Sequence, residues 1–172
     1  MTFRSLLLGA ALLSQTAVSA QSDLDRINQI RRLCADINAT HWTDRKVAEL
    51  GDSWIDAYYH QDELRKISVR TFNEADSGLE EFYLHEGALV YVYAEATRFA
   101  SPADSTTLEA TLAPLTDAVL VPQRVTLRAY FGDAGLLRLY TGTPPLTPGE
   151  RALEAARLQT RYAAVREALL KS

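Results

Sequence analysis

The chain has 172 residues, 47% hydrophobic and 23% charged, with 22 acidic residues against 18 lysines and arginines and a net charge of −4. That composition supports a globular core and excludes a disordered chain, and the length suits one domain around one core. A negative net charge without a polybasic run excludes nucleic acid and an anionic membrane surface as partners.

The N-terminus reads as an export signal over 1–20. Arg4 supplies a positive start, Leu6 to Leu13 form a short apolar stretch, and Val18, Ser19 and Ala20 make a small-residue cleavage site before Gln21. The apolar run is well short of the ~20 residues that span a bilayer, and Ser14, Gln15 and Thr16 interrupt it. No cysteine stands at the cleavage site to take a lipid. The expectation is a signal peptide over 1–20 and a single α+β domain over 21–172, exported to the periplasm or secreted, with no stable membrane insertion after cleavage.

From Ser22 to Asn38, Leu24, Ile27, Ile30, Leu33, Cys34 and Ile37 recur at spacings of three and four, the pattern of an amphipathic helix. Ser22 is its expected N-cap, with Asp23 and Asp25 in the first turn, where the helix dipole favours them. Cys34 is the single cysteine, so no disulfide can form within the chain. Beside Leu33 and Ile37, with no base nearby, it reads as a small buried hydrophobe.

Further on, the period changes to two, and three segments resemble one another. Tyr58 is followed six residues later by Leu64, Tyr83 by Leu89 and Tyr130 by Leu136, with polar or small residues between. These predict three β-hairpins. Between the second and third, the alternation lapses over about 100–123; Ser101 to Thr106 reads as a loop, followed by a short helix from Leu108 to Val119 broken at Pro114, and the insertion is expected to be mobile. Thr141 to Pro145 reads as a turn-rich connector. A closing helix is predicted from Pro148 to Leu170, with Thr147 and Glu150 forming a capping box and Pro148 at the first helical position.

Loop length decides which side chains share a sheet face. Three-residue loops, with Gly87 and Gly135 in the left-handed position of a type I turn plus bulge, put Ile55, Ala57, Tyr59, Ile67, Val69, Phe82, Leu84, Val90, Val92, Ala94, Val125, Leu127, Ala129, Phe131, Leu137 and Leu139 on an aliphatic side. Trp54, Asp56, Tyr58, Leu64, Lys66, Arg70, Tyr83, Tyr91, Tyr93, Arg128, Tyr130, Arg138 and Tyr140 then lie on the other. A two-residue turn at Glu86 and Gly87 is the competing geometry and shifts the parity by one. The fold expected is α+β: an antiparallel meander of about six strands, with both helices packed on the aliphatic side.

Catalytic chemistry is thinly represented. There is no Gly-x-Ser-x-Gly elbow, and of His41, His60 and His85 the last two fall at hairpin tips, where a nucleophile's base would lack rigid support. His60, Asp62, His85 and Glu86 are metal-ligand types brought to one end of a meander, although their spacing matches no zinc pattern. Glu80 and Glu81 point to opposite faces of a strand and cannot cooperate. Asp56 is the acid to examine, with Lys66 or Arg128 as its expected ion-pair partner. No cofactor is implied.

The most informative surface is the tyrosine and arginine face, comprising Trp54, Tyr58, Tyr83, Tyr91, Tyr93, Arg128, Tyr130, Arg138 and Tyr140. Such residues combine large contact area with a polar handle and dominate binding hot spots. The expectation is a non-enzymatic module that binds a protein partner through this face. The alternatives are a self-associating envelope protein whose face forms a homodimer, and a small hydrolase or metal-dependent enzyme using the hairpin-tip His and Asp residues.

Overall fold

Seven strands pair in sequence order into one antiparallel sheet in the computed structural model: β1 (Asp44–Leu50), β2 (Ser53–His60), β3 (Glu63–Phe72), β4 (Asp76–His85), β5 (Ala88–Ala100), β6 (Val121–Gly132) and β7 (Gly135–Thr141). Helix α1 (Leu6–Ala39) precedes the sheet and α2 (Pro148–Lys171) follows it. The structure describes residues 6–72, 76–100, 121–141 and 145–172, with side chains over 21–72, 77–97, 124–141 and 145–172. The short helix expected from Leu108 to Val119 lies outside the described residues, as does most of the expected insertion. Strands β5 and β6 stay paired as far as Ala100 and Val121, beyond where the alternation lapses.

The α+β meander is as the sequence implies, with one more strand than expected. β1 escapes sequence reading because its alternation is masked by charge: only Ala48 and Leu50 are apolar on the core side, and Lys46 shares that side. Lys46 Nζ instead donates to the carbonyl of Leu169 at 2.6 Å, satisfying one of the open carbonyls in the last turn of α2.

The helices cover opposite faces, which corrects the expectation that both lie on the aliphatic one. Leu158, Val165 and Leu169 of α2 pack on Ile55, Ala57, Ile67, Val69, Phe82 and their neighbours. Ile27, Ile30, Cys34 and Ile37 of α1 instead pack on Tyr83, Val90 and Tyr130. Tyrosine rings have an apolar body that a helix can bury, provided that each hydroxyl finds a partner. Here Arg31 Nε donates to the Tyr130 hydroxyl at 3.3 Å, and the Tyr83 hydroxyl lies 3.0 Å from Asn38 Oδ1 and 2.9 Å from Glu81 Oε2.

The hairpins depart from the expected three-residue loops in an informative way. Gln61 and Asp62 (φ 50° and 64°) and Glu86 and Gly87 (φ 51° and 76°) form two-residue turns with both residues left-handed, closing the pairs His60 with Glu63 and His85 with Ala88. Such turns match the twist of the flanking strands. In the third hairpin Gly132 pairs with Gly135, whose φ of 113° is left-handed as expected.

A β-bulge follows each of these three turns. Tyr58 pairs with Lys66 but Tyr59 with Leu64, leaving Arg65 extra; Val90 and Leu137 are extra in the same way opposite Tyr83 and Tyr130. Each extra residue follows its tyrosine by seven. The bulge restores the parity that the short turn shifts, so the tyrosines keep their side. Only the residues between turn and bulge are displaced from their expected faces. Leu64, Leu89 and Leu136 pack with the aliphatic core, whereas Val90 and Leu137 turn toward α1.

Helix α1 runs unbroken through Ser22, so Ser22 is an interior residue and not an N-cap. No proline interrupts Leu6 to Ala39, and the flanking Ala, Leu and Gln residues favour the helix. The start of α2 is as expected: Glu150 N donates to Thr147 Oγ1 at 3.3 Å, and Thr147 N donates to Glu150 Oε2 at 2.7 Å. Thr147→Ala removes one half of this box and is expected to cost about 1 kcal/mol. A urea denaturation curve checks this; an unchanged midpoint would mean that the first turn of α2 contributes nothing to stability.

Candidate functional site: the tyrosine and arginine face

Helix α1 divides this face. Under it, next to the hairpin turns, Tyr83 and Tyr130 are buried, at 2% and 4% exposure, and Tyr91 is half-buried between them. The rings of Tyr83, Tyr91, Tyr130 and Tyr140 run across β4 to β7 with successive centroid separations of 5.4, 4.8 and 6.0 Å. Tyr58 meets Trp42, from the segment between α1 and β1, at 5.8 Å. Tyr83, Tyr91 and Tyr130 form the seat of α1. Arg138 stacks over Tyr140 at 5.4 Å and, like Tyr140, is exposed.

Burial under α1 sets the chemistry there. Loss of water pushes the Cys34 thiol up to about 12, and the hydroxyls of Tyr83 and Tyr91 are also raised chiefly by desolvation. A thiol held protonated is a poor nucleophile, consistent with a packing role for Cys34.

Away from α1 the face is open. Asp56 is buried, and its carboxylate accepts from Arg45 Nε at 2.9 Å with Arg70 Nη1 at 3.5 Å from the other oxygen. This corrects the expected pairing with Lys66 or Arg128. Cross-strand register decides it, because Arg70 lies opposite Trp54, diagonal to Asp56, and Arg45 lies diagonally across β1. Lys66 instead pairs with Glu81 at 2.7 Å and bonds Asn38 of α1. Glu80, on the reverse face, pairs with Arg161 of α2 at 2.8 Å, so Glu80 and Glu81 do point apart.

Trp54 is 55% exposed, and its two diagonal neighbours, Val47 on β1 and Phe72 on β3, are 43% and 62% exposed. Sequence reading missed Val47 and Arg45 because β1 was not recognised. Phe72, at the end of β3, is a lone aromatic whose face depends on the register. At the margin of α1 lies a groove of about 440 Å³ lined in part by Arg31, Glu81, Tyr91, Tyr93 and Arg128. Tyr93 donates to Glu95 Oε2 at 2.6 Å, and Arg124 also binds Glu95. Arg128 is exposed and has no ion-pair partner among the described residues.

The hairpin tips form no comparable site. His60, Asp62 and Glu86 are exposed, and the tips of the first two hairpins are joined by Glu63 Oε1, which accepts from Glu86 N at 2.8 Å. His85 Nδ1 is buried without a hydrogen-bond partner among the described residues. No three His, Cys, Asp or Glu side chains among the described residues come together to hold a metal. No described helix is long and apolar enough to cross a membrane. No family model, curated protein or solved structure matches the chain.

Proposed function

We propose that this chain is an exported, non-enzymatic module that binds a protein partner through the part of the tyrosine and arginine face that α1 leaves open. The observation that carries this reading is the Trp54 cluster. Two further large apolar side chains, Val47 and Phe72, flank an exposed tryptophan; Arg70 lies directly opposite it and Arg45 further along the face, both bound to the buried Asp56. Tryptophan and arginine at the centre of an apolar patch are the composition of interface hot spots, and a contiguous patch of this kind on a sheet marks an interaction surface. Arg128 and Tyr93 extend the surface toward α1. The signal-like residues 1–20 support export.

Within this reading, Tyr83 and Tyr130 act by seating α1, and Trp54 and Arg128 make the contacts. A Trp54→Ala, Arg128→Ala double variant is expected to fold like the parent and to bind the partner at least ~30-fold more weakly, as loss of about 2 kcal/mol requires. The check is capture from envelope extract of the native host, followed by titration with the purified captured protein. Undiminished affinity in the folded double variant would refute the assignment.

A further inference from the structure

The two edges of the sheet are built differently. β1 carries Asp44, Arg45, Lys46 and Glu49 in seven residues, the charged edge that discourages pairing with another chain. β7, Gly-Leu-Leu-Arg-Leu-Tyr-Thr, has one charge and no proline, and no described strand pairs with its outer edge. An edge of this kind is a template for a further strand.

A groove of about 570 Å³ runs along that edge. Its lining includes Leu136 to Leu139 of β7, Leu24 and Ile27 of α1, and Ala152 and Ala155 of α2. Because α1 and α2 lie on opposite faces of the sheet, the groove is the gap between two helices at the sheet margin. Leu24 is exposed, and the two alanines leave room on the α2 side.

We propose that the outer edge of β7 takes up an extended, apolar and acidic peptide segment of another protein as an eighth strand. The extended form follows from the row of backbone donors and acceptors that an edge strand presents, which only another strand matches along its length. The apolar character follows from the leucines and alanines of the groove. The acidic character follows from charge: Arg138 and Arg151 both line the groove and have no carboxylate partner among the described residues, against the single acid Asp23. A second copy of the chain fits poorly. Arg138 is the middle residue of β7, so symmetric antiparallel pairing of two β7 strands sets Arg138 against its own copy, and like charges directly opposed are destabilising. The same arginine that repels a copy attracts an acidic segment.

This site is separate from the Trp54 surface and can fail or stand independently of it. The test uses the full chain and three fluorescent peptides as long as β7, seven residues: a valine-rich peptide with aspartates at alternate positions, its lysine counterpart, and the aspartate peptide with alternate backbone amides N-methylated. The expected result is that the aspartate peptide binds and that the lysine and N-methylated forms bind at least about tenfold more weakly. Ala155→Trp, which fills the groove, is expected to weaken the aspartate peptide by a similar factor, and the surface change Arg138→Glu to reverse the preference between aspartate and lysine. Trp54→Ala is expected to leave all three affinities unchanged. Equal binding of the aspartate and lysine peptides, insensitivity to N-methylation, or no binding at all would overturn the proposal. So would a dimer of the parent chain in sedimentation that Ala155→Trp abolishes, since that would assign the groove to a second copy.

Discussion

Phe82→Ala is expected to lower the free energy of unfolding by about 3–5 kcal/mol, one of the largest effects of any single substitution in this chain. Phe82 lies on β4, the central strand, and is fully buried. Its ring is hemmed in by Ile67 and Val92, directly opposite on the two neighbouring strands, and by Tyr162 of α2 at 5.8 Å. Backbone ladders on both sides hold those neighbours in place, so the space vacated by the ring cannot collapse, and the cavity adds to the lost transfer energy. Domains of this size are stable by only about 5–15 kcal/mol, so the variant should be marginal at ambient temperature. Urea unfolding with an unchanged slope and a much lower midpoint is the expected outcome. A loss below about 1 kcal/mol would mean that the aliphatic core is not centred on β4.

The second large effect is alkaline. Cys34, Tyr83 and Tyr91 lie at the contact between α1 and the sheet, and burial raises all three above their ordinary values. Each is neutral when protonated, so the folded state favours the protonated form more than the unfolded state does. The contribution is fully present below the unfolded values and is lost as pH rises from about 9 toward about 12 for Cys34. The tyrosines add to it above about 10, their ordinary value. Stability is therefore expected to be flat in this respect below pH 9 and to fall by a few kcal/mol across that window. The loss should begin at α1, because the three groups converge there while, among the described residues, the α2 side holds only Tyr162 as a raised hydroxyl. Helical signal and the rate of thiol alkylation, followed from pH 8 to 12, report both events. Early modification of Cys34 with the rest of the fold intact is the expected pattern. A thiol that reacts at pH 8 as fast as a free one would show that α1 does not cover it.

Much of this architecture was legible in the sequence because it rests on local chemistry. The capping box at Thr147 and Glu150 needs only residues three apart, and the apolar stripe of α1 repeats within a single helix. The three tyrosine hairpins announce themselves by alternation and by their repeated spacing. The parity of Tyr83, Tyr91 and Tyr130 also survived, although through a different geometry from the expected three-residue loop with its bulge: a two-residue turn and a separate one-residue bulge shift the register in opposite senses.

Local periodicity was enough for six of the seven strands, the closing helix and the tyrosine and arginine content of one sheet face. Tertiary structure decided what covers each face. The stripe of Ile27, Ile30, Cys34 and Ile37 would suit either side by pattern alone, and only packing showed that it lies on tyrosines whose hydroxyls find Arg31, Asn38 and Glu81. That choice turned Tyr83 and Tyr130 from candidate contacts into the seat of a helix and left Trp54 in the open. It also paired Asp56 with Arg45 from a strand that charge had hidden, and placed β7 at an edge between two helices. The reason is physical: periodicity is set by neighbours within a few residues, whereas coverage, register and edges depend on contacts between residues far apart in the chain.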